Sequence, residues 1–233
     1  MSARSSAPRR KAKTVRQVCF IVGAGPGIGA ALAEAFAGEG YDIALFARGP
    51  SKLRDLCAEL SRKTGRVVTA YAADAGDEIS LKQGLDIARA DFGDPQVLIY
   101  NAAATVLDAP TQVPADRLVE EFRVNVTGAL VAAQQVAPAM VKARKGTILF
   151  TGGGFASEPA MKYASLSLGK AALRSLTYTL AQELGTHGVH VATVTVHGFI
   201  QTGTRFDPQR IAQAYVWLHR QPKGHFDTEK IHK

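Results

Sequence analysis

Val22-Gly23-Ala24-Gly25-Pro26-Gly27-Ile28-Gly29 separates an apolar run, Val18-Cys19-Phe20-Ile21-Val22, from a stretch of helix formers between Gly29 and Ala37. An uninterrupted apolar run ending in glycine reads as a strand buried on both faces. A glycine-rich turn between such a strand and a helix lets backbone approach a pyrophosphate closely. The helix then offers its unpaired N–H groups and favourable dipole to the same anion. Glycines also mark ordinary turns, so the place of this turn in the first strand–helix unit carries the reading. It predicts a dinucleotide site in which Gly23, Gly25, Pro26, Gly27, Ile28 and Gly29 form the phosphate loop.

Outward from that turn, short apolar runs alternate with longer helical patterns. Strands are predicted at Ile43–Ala47, Val67–Ala72, Val97–Tyr100, Thr147–Phe150 and Val189–Val196, with a last one at Phe226–Ile231. Helices are predicted at Ser51–Arg62 with Ser51 as N-cap, Glu78–Phe92, Ala115–Lys142, Ala160–Leu184, and from Asp207 to about Arg220. Strict strand–helix alternation implies a parallel sheet with right-handed crossovers: a single α/β domain with a doubly wound sheet of the Rossmann type.

The chain has 233 residues and a net charge of +8, but the charge is unevenly placed. Residues 1–16 hold Arg4, Arg9, Arg10, Lys11, Lys13 and Arg16 with no acidic residue, leaving the remainder close to neutral. We read 1–16 as a disordered basic tail and 17–233 as the domain, and expect no nucleic-acid partner. No run approaches the roughly 18 apolar residues of a membrane span, so no membrane partner is expected either. Cys19 and Cys57 are too few for a disulfide framework and read as buried thiols of a cytoplasmic protein. No metal-ligand spacing occurs among His187, His190, His219 and the cysteines, so no metal site is expected.

The spacing Gly23-x-x-x-Gly27-x-Gly29 resembles the short-chain dehydrogenase/reductase family, and the resemblance runs over about residues 17–205. Asn101-Ala102-Ala103 is similar to that family's Asn-Ala-Gly stretch after strand four. Asp74, followed by Ala75, matches the acidic residue beside the adenine, and Asn125 matches the asparagine that kinks the fourth helix. Gly198, after His197, matches the Pro-Gly pair beside the nicotinamide, and Lys170 the lysine that holds its ribose. At the end of strand two an acidic side chain would bind the ribose hydroxyls of NAD(H). This chain instead has Arg48, with Ser51 and Lys52 close behind, which pairs naturally with a 2′-phosphate and predicts NADP(H) over NAD(H). The family also pairs through two long helices. The small residues Ala129, Ala132, Ala133, Ala137, Ala171 and Ala172 then suggest a homodimer or homotetramer.

Reducing a carbonyl develops oxyanion charge that needs a proton donor or hydrogen bonds. The resemblance implies a tyrosine four residues before the lysine and a serine at the end of strand five. Here those positions are Leu166 and Gly153. The catalytic candidates are therefore Asn125, Lys170 and Tyr163, the last less than one turn from Leu166. Main-chain donors at Gly152–Gly154 and the imidazole of His197 are further candidates. The leading reading is an NADP(H)-dependent oxidoreductase reducing a small carbonyl, imine or enone substrate with an atypical proton donor. The alternatives are a redox-silent dinucleotide-binding sensor or scaffold, and a non-redox enzyme on the same scaffold.

Overall fold

The computed structural model describes residues 16–233. The basic-tail reading thus lies outside the described residues except at Arg16, which is tied to the domain. Its guanidinium pairs with Asp42 and lies 4.2 Å from the centre of the Phe92 ring.

Seven strands form one parallel sheet: β1 (Val18–Val22), β2 (Asp42–Ala47), β3 (Val68–Ala72), β4 (Val97–Tyr100), β5 (Gly146–Gly153), β6 (Val189–Val196) and β7 (Glu229–His232). Their spatial order is β3-β2-β1-β4-β5-β6-β7, the doubly wound arrangement expected. Seven helices accompany them: α1 (Ile28–Gly38), α2 (Arg54–Thr64), α3 (Glu78–Phe92), α4 (Ala115–Phe122), α5 (Gly128–Ala143), α6 (Ala164–Gly185) and α7 (Pro208–His219). Side chains of α1, α2 and α7 bury one face of the sheet, and those of α3, α5 and α6 the other. Continuous apolar strands such as β1 and β4, buried at every position, are what two covered faces require.

Several boundaries differ from the sequence reading, each for a local reason. Ser51 caps nothing: Pro50–Leu53 winds as a 3-10 turn, and α2 begins after Leu53 without a side-chain cap. The long helix predicted from Ala115 is divided into α4 and α5 by a π turn at Arg123–Thr127. Asn125 sits in that turn, as a kinking residue should. Helix α6 starts at Ala164 rather than Ala160, because Tyr163 is non-helical and its main chain bridges to Asp108. Strand β5 runs three residues past Phe150, since Thr151, Gly152 and Gly153 pair with Val194, Thr195 and Val196. Phe226 is not in β7; its ring stacks on His190 at 4.3 Å.

The stretch Ala115–Ala143 is long and apolar enough by composition to cross a membrane. Its apolar side chains are instead spent on the domain, where Ala129, Ala132, Ala133 and Val136 are buried against the sheet. Of the small residues, Ala129, Ala132 and Ala133 are buried in the domain, Ala137 and Ala172 are half-buried, and Ala171 is exposed on α6. Cys19 and Cys57 are both buried free thiols, as read from the sequence.

Because the sheet reverses direction of growth after β3, a crevice opens between β1 and β4 at their carboxyl ends. Gly23 sets its floor. Its φ is +86°, and a Cβ there would lie 2.3 Å from the Ala102 nitrogen, so neither conformation nor space admits a side chain. Gly23→Ala should therefore lower unfolding stability by about 1–3 kcal/mol through backbone strain and the shift of Ala102. Urea unfolding measures this, and a wild-type midpoint would refute it.

Candidate active site

A cleft of about 1040 Å³ lies along the carboxyl ends of β1, β2, β4, β5 and β6. Gly23, Gly25, Pro26, Ile28 and Gly29 line one end of it, whereas Gly27 lies behind the lining. Gly27 instead provides geometry: with φ +96° it turns the chain into α1, whose N-terminus carries no side-chain cap. Capping is left to main chain: the Ala30 N–H donates to the Gly25 carbonyl and that of Ala31 to the Gly27 carbonyl. Ile28 and Gly29, at the start of α1, line the cleft, and a helix N-terminus so placed suits a pyrophosphate. A Cβ at Gly25 or Gly27 would meet nothing within 4 Å, so the space in front of the turn is free.

Arg48 lines the cleft past the end of β2, with Lys52 from the following turn beside it. Neither forms an ion pair with a carboxylate among the described residues. Asp74 and Ala75 line the same end; the Asp74 carboxylate accepts from the Gly76 N–H at 2.9 Å, which orients it. These residues fit a dinucleotide with its adenosine end at β2–β3 and its pyrophosphate on α1.

The other half of the cleft is organised by a residue that sequence reasoning missed. Thr151, on β5, donates its hydroxyl to Asn101 Oδ1 at 2.8 Å and accepts from the Tyr215 hydroxyl at 2.6 Å. Asn101 in turn donates from Nδ2 to the Gly23 carbonyl at 2.9 Å. The Thr151 carbonyl accepts from Lys170 Nζ at 2.6 Å. One residue thereby fixes the phosphate turn, the β4 end and the lysine of α6 relative to one another. Thr151 lies just past the strand predicted to end at Phe150, and Tyr215 lies 64 positions away, so no sequence signal joined them.

Lys170 lies in the cleft wall, 7% exposed, where burial strips water from its ammonium and pulls its pKa down to about 8. It is still protonated at neutral pH and sits where an anionic or hydroxyl-bearing ligand would meet it. Leu166, one turn earlier on α6, also lines the cleft, as do Gly152, Gly153 and Gly154. Gly153 is extended, and a Cβ there would make only ordinary contacts with the Lys170 side chain, the nearest at 3.5 Å.

The other candidates fall in different places. Asn125 is not in the cleft wall; its carboxamide exchanges two 2.8 Å hydrogen bonds with the main chain of Ala104. Through these bonds it positions the loop after β4. Tyr163 lines the cleft, with its ring stacked 4.8 Å from that of Phe155 and 5.9 Å from that of Phe199. Its hydroxyl has no hydrogen-bond partner among the described residues. Ala102 and Gly198 line the cleft, and Gly198 is required because Phe206 occupies the place of its Cβ. His197 faces the cleft with Nδ1 3.9 Å from Glu158. His219 is structural: it bonds Tyr41 and Thr147, and burial drives its pKa down to about 4.

A seven-stranded, doubly wound sheet with a glycine turn, an asparagine-held crevice and a buried lysine defines a dinucleotide-binding oxidoreductase scaffold. The short chain dehydrogenase family profile matches residues 17–209, and the chain belongs to that family. It is 26% identical over 224 residues to an uncharacterized oxidoreductase of Staphylococcus saprophyticus, covering 92% of this chain and 95% of the relative. It is also similar to a metagenomic short-chain oxidoreductase solved in complex with NADP. That likeness has a TM-score of 0.86 and 25% identity over 94% of this chain and 98% of the other. A short-chain dehydrogenase from Sphingobium yanoikuyae in complex with NADPH gives a TM-score of 0.77 and 25% identity, over 86% and 83% of the two chains. The protein is thus an oxidoreductase of the short-chain type.

The lysine's depressed pKa sets a pH dependence. As pH rises through about 8 the ammonium is lost, and with it a charged donor toward a bound dinucleotide. NADPH affinity should fall roughly tenfold between neutral pH and well above pH 8, and Lys170→Met should flatten that profile. Fluorescence titration across pH checks this; a Lys170→Met variant with wild-type affinity and slope would contradict it.

Proposed function

We propose that the protein is an NADP(H)-dependent reductase of carbonyl, imine or enone substrates that works without the tyrosine and serine of its family. The observation that carries the cofactor choice is Arg48, an exposed guanidinium at the end of β2 with no carboxylate partner among the described residues. Lys52 reinforces it from the next turn. A carboxylate in that place would repel a 2′-phosphate, whereas a guanidinium binds it through charge-assisted hydrogen bonds. The NADP and NADPH complexes of the two similar structures agree with this choice.

When bound, the reduced dinucleotide supplies the hydride. The chain's own residues do the rest. Gly23 and the α1 N-terminus hold the pyrophosphate, and Asn101 and Thr151 keep that turn aligned with β5. Lys170 brings a positive charge to the reacting end and stabilises oxyanion character developing there. Leu166 excludes water where a phenol would otherwise donate, and Gly153 adds no hydroxyl. A substrate whose reduced form is a weak base suits this wall, because such a product needs no strong acid held in place.

Two measurements test this reading. Arg48→Asp should weaken NADPH binding by about tenfold or more and leave NADH binding unchanged or improved; equal loss for both nucleotides would contradict the 2′-phosphate role. NADPH oxidation across ketones, imines and enones should be detectable with at least one class. Tight NADPH binding with no oxidation by any class would support a redox-silent role instead.

A further inference from the structure

Three aromatic rings from three separate segments meet at the mouth of the cleft: Phe155 after β5, Tyr163 before α6 and Phe199 after β6. Phe155 and Tyr163 stack at 4.8 Å with an interplanar angle of 22°. Phe199 meets that pair obliquely, its ring centre 6.4 Å from Phe155 and 5.9 Å from Tyr163. The stacked pair pins Phe199 yet leaves it 69% exposed, and Ile200 beside it is 52% exposed. A large aromatic side chain left open to water at a cleft mouth costs solvation and is ordinarily covered when a ligand binds. Deeper in the same wall stand Leu166 and the unsubstituted Gly153.

We propose that this aromatic platform makes the site selective for planar conjugated carbonyl acceptors, with bicyclic and tricyclic quinones as the representative class. The proposal deepens the reductase reading above and rests on it for its chemistry. Two separate features converge on the same ligand. An open aromatic face favours a flat π system over an aliphatic chain, because ring–ring contacts add to the gain from area burial. Leu166 in place of a phenol one turn before Lys170, and Gly153 in place of a hydroxyl, favour the same class. A quinone takes the hydride at one oxygen, forming an O–H bond as the C4–H bond of NADPH breaks. The other oxygen holds the electron pair until a solvent proton completes the hydroquinone, leaving NADP⁺. Its intermediate oxyanion is aryl, with a basicity near that of tyrosinate, whose conjugate acid has a pKa of about 10. The alkoxide left by a simple ketone is far more basic and needs a proton donor in place. Lys170 and the open mouth suffice for the first product and serve the second poorly.

The test has a binding arm and a turnover arm, with 9,10-phenanthrenequinone as probe and cyclohexanone as aliphatic comparison. In calorimetric titrations of the NADP⁺-saturated protein, where no reduction occurs, phenanthrenequinone should bind. Phe199→Ala should weaken it about tenfold, and Phe199→Trp should retain it. Phe199 is exposed, so neither variant threatens folding, and NADPH affinity serves as the control. In the turnover arm, anaerobic NADPH oxidation should favour phenanthrenequinone over cyclohexanone by about a hundredfold in kcat/KM. Absence of quinone binding, equal binding by the Phe199→Ala variant, or preference for cyclohexanone would each overturn the platform proposal. If cyclohexanone is reduced efficiently, the reductase reading survives that failure. If the quinone binds through Phe199 and NADPH is not oxidised, the platform stands and the reductase reading falls.

Discussion

The pair of hydrogen bonds at the Thr151 hydroxyl, together with the bond accepted by its carbonyl, is the constraint on which the cleft depends. The phosphate turn, the end of β4, the carboxyl end of β5, α6 and α7 all meet through this residue. Lys170 and Tyr215 are buried and Thr151, Asn101 and Gly23 half-buried, and a buried polar group left unpaired costs about 1–3 kcal/mol. Satisfying them in one chain lets a charged lysine sit in an apolar wall. The same chain keeps Gly23 close enough to Ala102 that only glycine fits there. The geometry of the phosphate turn and the placement of the lysine are therefore one problem with one solution.

Lys170 shows what that pre-organisation yields. A lysine held in the cleft wall with a single backbone acceptor has lost most of its water, and its pKa falls toward neutrality. The fold is correspondingly penalised for holding it protonated. The folded pKa lies below the ordinary value of 10.5, so this penalty applies in full at neutral pH and is relieved as pH rises past about 8. Stability is sacrificed to keep a positive charge in the cleft wall, where the proposed reaction would use it. Leu166 and Gly153 alter the neighbourhood of that charge without displacing it.

Much of this was legible in the chain of residues alone. The apolar β1 run followed by Gly23–Gly29 announced the parallel sheet and the phosphate site, because burial on both faces and close backbone approach each demand a particular composition. Arg48 could be read because its place is set by the end of a strand. The π turn at Asn125 was visible only as a kink. The commitment of its carboxamide to Ala104 depends on a loop whose course no local pattern fixes. The Thr151–Tyr215 bond and the meeting of Phe155, Tyr163 and Phe199 were illegible for the same reason: they join segments that become neighbours only after the sheet has closed. The glycines after Thr151 lay beyond the predicted end of the strand, yet pairing with β6 draws two of them into it.

The central proposal is that this cleft transfers hydride from NADPH with Leu166 and Gly153 in the wall beside Lys170. The most direct measurement is a single-turnover reaction of the protein–NADPH complex with a conjugated carbonyl acceptor under anaerobic conditions. It compares NADPH carrying hydrogen with NADPH carrying deuterium at the transferring position of C4. The account predicts loss of the reduced-nicotinamide absorbance at a rate slowed by deuterium, showing that this bond breaks in the site. A bound nucleotide whose absorbance persists, or decays with no isotope effect at the rate seen without protein, would contradict it.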